Sequence, residues 1–358
     1  MSLRVAVVYN EPKHTPHAEH WLSRSHASVH ADAGDFRDAS EFGVVEQMQS
    51  IAAALESHGY RVLIFSANDD PSRLCSFLAS EKPDLVFNCC ESIMGASSLE
   101  MSVAAMYELF SIPYTGSGSL ALGIALNKRL SKDLFTANGI STPRHTFVLP
   151  GERVVHPEAL DYPLIVKPVS EDASIGIDDA AIVTRFEELR ARVEFVHSEF
   201  HQGALIEEFI DGRELNVALI GNGATGMTPL PISEITFDRL PAGARRIVSY
   251  EAKWVEESPL YHTTMPQCPA VLPAAIEEEA RTLAVRAARI VGLRDYGRVD
   301  MRLSDRTNTL YVLEANPNPD ISEDAGFMRA ALASGRTYAG TINEIVAHAL
   351  ERSNNVSR

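Results

Sequence analysis

Apolar residues in the first 120 positions form short runs separated by polar, turn-forming segments. Strands are predicted at LRVAVVYN, RVLIFSA and DLVFNCC, each a compact apolar run typical of a buried strand. Helical spacing of apolar residues predicts helices from Ser40 to His58, from near Pro71 onward, and from Leu99 to Phe110. Gly59 is typical of a helix end. This βαβαβ order predicts a parallel sheet.

The pattern changes near residue 120, where the turn-rich segment IPYTGSGS leads into a predicted helix around Leu126 to Ala137. Strands are predicted at PLIVKP, ALIEEFI and ELNVALIG, with a helix around Phe186 to Val196 and a long helix after Pro273. This mixture indicates an α+β region built on an antiparallel sheet. The fold class is therefore α/β followed by α+β, and we expect three units, at residues 1–120, 121–212 and 213–358.

The segments GRVDMRL and LYVLEAN alternate polar and apolar residues on either side of the turn SDRTNT, which predicts a β-hairpin. A turn centred near Thr307 places Asp300 opposite Glu314 on adjoining strands. It also places Arg298 opposite Asn316. Two carboxylates and an amide oxygen suit magnesium, which usually retains waters and substrate phosphates, so the hairpin predicts a metal–nucleotide site. Calcium accepts the same ligand types, and an edge hairpin without a ligand is the alternative interpretation.

Length and composition limit the class of protein. A chain of 358 residues indicates two or three domains, and 45% apolar with 22% charged residues is typical of a globular protein. The formal charge of -16 argues against nucleic acid or an anionic membrane as the main partner. Four cysteines show neither metal-ligand spacing nor a secreted disulfide framework, and no apolar run is long enough for a signal or membrane segment. We therefore expect a soluble cytoplasmic protein.

Three lysines are candidates for binding phosphate. Lys167 ends the strand PLIVK and precedes a loop in which Ser174 and Gly176 offer a hydroxyl and an unhindered backbone. Lys128 in LNKRLSK and Lys253 in YEAKW are further candidates. For each of the three, an ordinary surface lysine is the alternative interpretation. Five histidines between residues 11 and 38 are interpreted as part of a surface loop, with a metal cluster as the alternative.

The segment LIEEFIDGRELNVALIG predicts two strands joined by a short linker at Asp211 and Gly212. Its backbone could present donors and acceptors to an adenine ring, and the carboxylate of Glu214 could accept from ribose hydroxyls. An acidic hairpin without a ligand is the alternative interpretation.

Taken in order, these motifs resemble those of the ATP-grasp superfamily, specifically the D-alanine:D-alanine ligase group. The resemblance extends over nearly the whole chain. It rests on six segments in the expected order and spacing, namely IPYTGSGSLALGIALNKRLSK, PLIVKPVSEDASIG, EEFIDGRELNVA, YEAKW with the later CPA, YGRVDMRL and LEANPNP. It implies an N-terminal parallel-sheet domain followed by two ATP-grasp subdomains that enclose ATP.

The resemblance also implies roles for individual residues. Arg298 would face the reacting carboxylate. The residues implied to bind ATP are Lys128, Lys167 and Lys253 at the phosphates, Ser174 and Gly176 in the covering loop, Glu207, Glu208, Phe209 and Ile210 around adenine, and Glu214 at the ribose. The residues implied to bind magnesium, or manganese in its place, are Asp300, Glu314 and Asn316. Arg298, Ser174 and Lys253 are the implied catalytic residues.

The substrate half of the pattern departs from the group. Ala173 and Trp254 replace a loop serine and a tyrosine, and Glu41 is the nearest candidate for a glutamate that receives the first substrate. Cys90 and Glu91 stand where the group usually has histidine and glycine. The run NPNPDIS replaces a small-residue turn that meets the second substrate, and its substrate candidates are Asn318, Asp320 and Ser322.

The function expected from this resemblance is that of an ATP- and magnesium-dependent ligase. It would join the carboxylate of an amino-acid-like substrate to an amine through an acyl phosphate. The altered substrate motifs predict that the first substrate's amine is recognised differently and that the second substrate carries a feature that D-alanine lacks. The alternatives are an authentic D-alanine:D-alanine ligase and a non-catalytic ATP-binding regulatory protein. The expected partners are amino-acid or peptide substrates and a second copy of the chain in a homodimer.

Overall fold

A computed structural model describes residues 2–10, 43–67, 70–94, 96–172, 174–222, 226–241, 243–255 and 258–356. Its first part contains a three-stranded parallel sheet of strand order β2-β1-β3. The elements of this part are β1 (Arg4–Tyr9), α1 (Val44–Ser57), β2 (Arg61–Ser66), α2 (Pro71–Glu81), β3 (Leu85–Cys89) and α3 (Glu100–Leu109). The predicted βαβαβ order and parallel sheet are confirmed.

Local chemistry explains these elements. Strand β1 is an unbroken apolar run because residues 5–8 are fully buried, as is typical of a parallel strand covered on both faces. Helix α2 begins where predicted: Pro71 occupies its first turn, and the side chain of Asp70 accepts a hydrogen bond from the Ser72 backbone N–H. Helix α1 was expected from Ser40, but residues 40–42 lie outside the described part of the chain.

The middle part of the chain forms a four-stranded antiparallel sheet of order β4-β7-β5-β6. Its elements are α4 (Ser119–Leu126), α5 (Lys128–Ala137), β4 (His145–Val148), β5 (Leu164–Pro168), β6 (Ile182–Val183), α6 (Phe186–Phe200) and β7 (Ala204–Glu208). Helix α4 was not predicted; it lies between the predicted turn-rich segment IPYTGSGS and the predicted helix around Leu126 to Ala137. Its sequence SLALGIAL is apolar on all sides and contains a glycine, so it lacks the periodicity that marks an amphipathic helix.

A six-stranded antiparallel sheet completes the fold, with order β11-β10-β8-β12-β13 and β9 paired to β8. Its strands are β8 (Gly212–Asn222), β9 (Gly226–Pro229), β10 (Ser233–Thr236), β11 (Met265–Gln267), β12 (Asp295–Ser304) and β13 (Leu310–Asn316). The helices of this part are α7 (Tyr250–Trp254), α8 (Ala274–Val291), α9 (Gly326–Ala333) and α10 (Tyr338–Val356).

The predicted register of the hairpin is confirmed. Asp300 pairs with Glu314, and Arg298 pairs with Asn316. The register shifts between Asp300 and Met301, so Met301 pairs with Val312. This irregularity lies beside the polar face that the hairpin presents.

One hydrophobic core joins the first and last parts of the chain. Val5 and Phe87 of the parallel sheet belong to the same buried cluster as Ile220 of β8 and Ile345 of α10. The middle sheet has a core of its own, in which Val166 of β5 packs with Val193 of α6. Within the described ranges, no helix combines the length and apolarity needed to cross a membrane.

Candidate active site

A cavity of about 1310 Å³ is lined by strands of the middle and the six-stranded sheets and by helix and loop residues of the first part of the chain. Nearly every side chain predicted to bind a ligand lies on its wall. The cavity wall includes Glu91, Lys128, Lys167, Ser174, Glu207, Glu208, Phe209, Ile210, Glu214, Lys253, Trp254, Arg298, Asp300, Glu314, Asn316, Asn318, Asp320 and Ser322. The remaining two candidates are Glu41, which lies outside the described residues, and Gly176.

Gly176 is not among the residues that line the cavity, although Ser174, Ile175 and Ile177 of the same loop are. Its φ is +75°, and a Cβ at this position would lie 2.8 Å from Cγ of Pro168. Its carbonyl accepts a hydrogen bond from Arg192 Nη2 at 2.8 Å. Glycine is therefore required here by the turn and by packing against Pro168.

Asp300 is the centre of the predicted metal face. Arg298 donates to both of its oxygens, from Nε at 2.7 Å and from Nη2 at 2.8 Å. Asn316 Nδ2 donates to Oδ2 at 2.8 Å, and Asn216 Nδ2 donates to Oδ1 at 2.7 Å. Burial alone would lower the pKa of Arg298, but the adjacent Asp300 carboxylate raises it above its usual value. The guanidinium is therefore a permanent positive charge beside the metal face.

Asn216 was not identified from the sequence. It lies on β8 directly opposite Asp300 of β12. The available signal was its alternation with Glu214, which places both side chains on one face of the strand.

Glu314 is the second carboxylate of the metal face. Its Oε2 accepts from Lys128 Nζ at 3.0 Å. Burial acts to raise the pKa of Glu314, but Lys128 outweighs it and holds the pKa at about 2. Lys128 also donates to Asp172 Oδ1 at 2.9 Å, so this lysine connects the metal face to the loop after β5.

The donor set fits magnesium bound together with a nucleotide. Two carboxylates and the amide oxygen of Asn316 provide hard oxygen atoms on one face. Among the described residues, no group of three or more His, Cys, Asp or Glu side chains is placed to hold a metal. Magnesium is commonly bound by one or two carboxylates with phosphates completing the shell, which matches this smaller set.

Glu207 lies between two lysines in an almost fully buried position. Lys167 Nζ contacts its Oε1, and Lys132 Nζ lies 2.7 Å from its Oε2. Lys132 also donates to Thr142 Oγ1 at 3.0 Å. Burial acts to raise the pKa of Glu207, but the two lysines lower it to about 2. The carboxylate is therefore ionised and holds Lys167 at the cavity wall.

Lys132 was not among the predicted residues. It lies four residues after Lys128 in α5, so the two side chains share one face of the helix. That spacing was the only signal in the sequence. Burial lowers the pKa of Lys132 from its usual value, although Glu207 opposes this effect.

The predicted adenine segment is fixed by backbone hydrogen bonds. Glu208 N–H donates to the carbonyl of Arg144, and Phe209 N–H donates to the carbonyl of Pro163 at 2.9 Å. The side chain of Glu208 pairs with Arg144, so it holds the segment in place. Ile210 follows and also lines the cavity.

Glu214, the predicted ribose ligand, is paired with a buried arginine. Arg302 Nη2 donates to its Oε2 at 2.7 Å and to the carbonyl of Arg246 at 2.6 Å. Arg302 is 4% exposed, and its guanidinium lies 5.6 Å from the centre of the Phe209 ring. Arg302 was not among the residues predicted from the sequence, although it alternates with Arg298 and Asp300 along β12.

The loop after β5 is tied to the segment around α7. Ser174 has φ +62°, and its Oγ donates to the carbonyl of Val248 at 2.9 Å. Tyr250 N–H donates to the carbonyl of Ile177 at 3.0 Å. Lys253 Nζ lies over the Trp254 ring, 4.9 Å from its centre. Burial and the nearby Arg298 lower the pKa of Lys253.

The opposite wall carries the predicted substrate residues. Asp320 Oδ1 accepts from Gln47 Nε2 at 2.7 Å, and from the backbone and side chain of Ser322 at 2.8 and 2.7 Å. Asn318 Nδ2 donates to Glu100 Oε1 at 2.8 Å. Glu91 N–H donates to Asn10 Oδ1 at 2.9 Å. Gln47 and Glu100 were not predicted, since they lie in helices whose packing on this wall is a long-range feature.

Comparisons with known proteins agree with this arrangement. The family model for the D-ala D-ala ligase C-terminus matches residues 134–347. The uncharacterized protein y4sG of Sinorhizobium fredii is 33% identical over 308 residues, which cover 84% of this chain and 86% of that protein. The D-alanine–D-alanine ligase of Bordetella petrii is 33% identical over 302 residues, which cover 84% of this chain and 86% of the ligase.

The solved structure of the D-alanine–D-alanine ligase from Bacillus anthracis complexed with ATP superposes with a TM-score of 0.73. The comparison covers 99% of this chain and 100% of that chain, at 21% sequence identity, and therefore bears on the fold. Together with the sequence relatives and the family model, it establishes that the chain belongs to the D-alanine–D-alanine ligase family of the ATP-grasp superfamily.

Proposed function

We propose that this protein is an ATP- and magnesium-dependent ligase that joins the carboxylate of an amino-acid-like substrate to an amine. The observation that carries the proposal is the convergence of Lys128, Lys167 and the Asp300–Glu314 pair on one cavity. The relatives named D-alanine–D-alanine ligase support the same reaction class.

The nucleotide would lie along the seam between the middle and the large sheets. The backbone around Ile210 would contact adenine, Glu214 would accept from the ribose, and Lys167 would contact the phosphates. Asp300, Glu314 and Asn316 would hold magnesium, which when bound neutralises phosphate charge. Lys128 already contacts Glu314, so it would lie beside both the metal and the phosphates.

In the first step, a carboxylate oxygen of the first substrate attacks the γ-phosphorus, and ADP leaves. The product is an acyl phosphate, and the protein's task is positioning and charge neutralisation rather than covalent catalysis. Lys128 and Lys253 would offset the charge of the transferred phosphoryl group. Ser174 and the loop that it ties to Val248 would keep water from the acyl phosphate.

In the second step, the amine of the second substrate attacks the acyl carbon. The carbonyl oxygen becomes an oxyanion, inorganic phosphate leaves, and the amine loses a proton. Arg298 would stabilise the oxyanion, since Asp300 fixes its guanidinium at the cavity wall.

The test is ADP release with ATP, magnesium and pairs of D- and L-amino acids and short peptides. At least one pair should release ADP together with a new amide product. An authentic D-alanine–D-alanine ligase is the second candidate, supported by relatives of that name, and it requires ADP release with D-alanine alone. Magnesium-dependent ATP binding without ADP release for any pair would instead favour the non-catalytic regulatory function.

We also propose that residues 1–120, 121–212 and 213–358 act as the three units of this ligase, in the cytoplasm and as a homodimer. Free thiols at all four cysteines are consistent with a reducing compartment. Sedimentation of the purified protein at several concentrations tests the dimer, and fractionation of cells that express it tests the compartment.

A further inference from the structure

Glu100 is a cavity-lining carboxylate without a role in the steps described so far. It is the first residue of α3, and its Oε1 accepts a hydrogen bond from Asn318 Nδ2 at 2.8 Å. Among the described residues, no lysine, arginine or histidine forms an ion pair with it. This sets it apart from Glu207, Glu214, Asp300 and Glu314, each of which is paired with a basic side chain.

Other carboxylates lie close enough to Glu100 for their negative charges to act on it. Burial and the like charges of Glu91 and Asp172 raise the pKa of Glu100 well above its usual value, while the hydrogen bond from Asn318 opposes this effect. A partly buried carboxylate close to other carboxylates is unfavourable unless a cation neutralises it. The cavity therefore offers a cation a complementary position at this point of its wall.

The charge of Glu100 is better matched by an organic ammonium group than by a metal ion. The Asn318 side chain turns its Nδ2 donor, and not its oxygen, toward Glu100, so it offers no oxygen ligand to a metal beside this carboxylate. An ammonium group has three N–H donors and can be held by one carboxylate with additional acceptors. Its other acceptors could include Ser92 and Ser98, which line the same cavity.

The position of Glu100 connects this ammonium to the carboxylate-donating substrate. The negative charge of Asp172 contributes to the raised pKa of Glu100. Asp172 also contacts Lys128 Nζ at 2.9 Å, and Lys128 lies at the proposed phosphoryl end of the site. Asn318, which holds Glu100, follows Asn316 of the metal face by two residues. In an α-amino acid a single carbon separates the ammonium from the reacting carboxylate, so both groups must be bound close together.

We propose that Glu100 binds the ammonium group of the carboxylate-donating substrate and thereby selects α-amino acids over carboxylic acids without an amine. This inference rests on the proposed ligase function, and it assigns to Glu100 of α3 the amine recognition that the sequence had suggested for Glu41.

Gly116 makes the arrangement sterically feasible. It has φ +87°, and a Cβ at this position would lie 2.5 Å from Oδ1 of Asn318. The Asn318 amide can therefore approach the backbone closely and direct its Nδ2 to Glu100. Asn318 is thus a positioning residue for the ammonium site.

The test separates the donor from the acceptor by using hydroxylamine, which traps an acyl phosphate as a hydroxamate. Wild type and Glu100→Gln are assayed with ATP, magnesium, hydroxylamine and a panel of D- and L-α-amino acids. The best donor is then compared with its analogue lacking the amine, such as propionate for alanine. Gln preserves an acceptor for Asn318 but removes the charge. Glu279→Gln is the matched control, because Glu279 is exposed on α8.

Glu100→Gln should lower kcat/KM for the amino acid by about 10- to 100-fold, the usual effect of losing a hydrogen bond to a charged group. The KM for ATP and the rate with the deaminated analogue should stay within about threefold, a change too small for loss of a charged contact. Glu279→Gln should match wild type, and Glu41→Gln should retain the preference for the amino acid.

Hydroxamate formation by Glu100→Gln at the wild-type kcat/KM would overturn the inference and leave the ligase function intact. A loss of donor selectivity in Glu41→Gln instead would also overturn it. Absence of hydroxamate with every donor, although ATP binds with magnesium, would overturn the ligase function and the inference with it.

Calorimetric titration of wild type with alanine or propionate, in the presence of magnesium and a non-hydrolysable ATP analogue, does not depend on the variant's folding. Tighter binding of alanine supports the ammonium site, and equal affinity for both ligands contradicts it.

Discussion

Lys132 Nζ lies 2.7 Å from Glu207 Oε2, and the two side chains are only 2% and 1% exposed. Glu207 contacts Lys167 through its other oxygen, so one buried carboxylate holds a lysine on each side. Because Lys132 neutralises the charge of Glu207, the positive charge of Lys167 can still attract a phosphate.

Lys132→Met should destabilise the protein and weaken ATP binding. Removing one partner of a buried ion pair typically costs about 3–5 kcal/mol, because the remaining charge stays desolvated. Lys167 would then be the remaining basic partner of Glu207, and the KM for ATP should rise. Urea unfolding measures the first effect and ADP release the second. The control is Arg129→Met in the same helix, whose exposed pair with Asp133 spans 3.5 Å and should contribute under about 1 kcal/mol.

Glu207→Gln should lose stability in a pH-dependent manner. The pKa of Glu207 is about 2 in the folded protein, against an ordinary value of 4.5. A lowered carboxyl pKa contributes stability above the unfolded-state pKa and loses it as the pH falls through the folded-state pKa. The difference in unfolding free energy between wild type and Glu207→Gln should therefore have its maximum value at pH 6 and a smaller value at pH 3. Urea midpoints at both pH values measure it, and a constant difference would refute the ionised state of Glu207.

Asp300→Asn and Glu314→Gln should each reduce ligase turnover by on the order of 100-fold or more, because each removes a charged oxygen ligand from the metal face. Manganese affinity in the presence of an ATP analogue, measured by electron paramagnetic resonance, should fall in parallel. Asp305→Asn is the control, since Asp305 pairs with Arg246 on the exposed turn of the hairpin. Unchanged manganese affinity in both variants would contradict the metal assignment.

Asp320→Gly should change the choice of the second substrate. Asp320 lines the cavity and is held by Gln47 and Ser322, so its removal takes away a fixed negative charge on the acceptor side. We expect the KM of the second substrate to change by about tenfold, with the KM for ATP and for the first substrate unaltered. An acceptor screen with wild type and variant measures this, and identical acceptor profiles would remove Asp320 from substrate recognition.

Gly116→Ala should impair donor binding without touching the substrate. The added Cβ would strain a backbone with φ +87° and displace the Asn318 amide, and with it the orientation of Glu100. We expect the KM for the amino-acid donor to rise while the KM for ATP stays unchanged. Gly139→Ala is a matched control for backbone strain, because Gly139 has φ +65° with open space around it. An equal rise in both variants would indicate a general loss of stability.

The hairpin was predictable because its geometry is local. The alternation of side chains and the length of one turn fix which residues pair, and Asp300 indeed lies opposite Glu314. The hairpin depends on residues that are close together in sequence, whereas the parallel sheet, in which Val5 pairs with Leu85, was predictable from the order of its elements.

The parts that escaped prediction depend on contacts between distant segments. Lys132 meets Glu207 across 75 residues of sequence, and Glu100 meets Asn318 across 218. The sequence did not show that Gly176 packs on Pro168 with a positive φ, since that contact depends on how the loop folds back on β5. A pattern in the sequence reveals which residue types are present, whereas the direction of a loop residue depends on tertiary packing.

The core that joins β1 and β3 with α10 can be completed only late in the synthesis of the chain. Val5 and Phe87 emerge from the ribosome long before Ile345, which completes their buried cluster. Until β8 is synthesised, α1 is the only part of this cluster outside the sheet that is available, and nascent chains should bind chaperones through the surface that α10 later buries. The same dependence predicts that a C-terminal truncation ahead of Tyr338 yields an N-terminal sheet that aggregates, whereas the middle sheet retains its own core. The helix that begins at Glu100 packs instead in a separate core formed within residues 6–122, so its stability does not wait for α10.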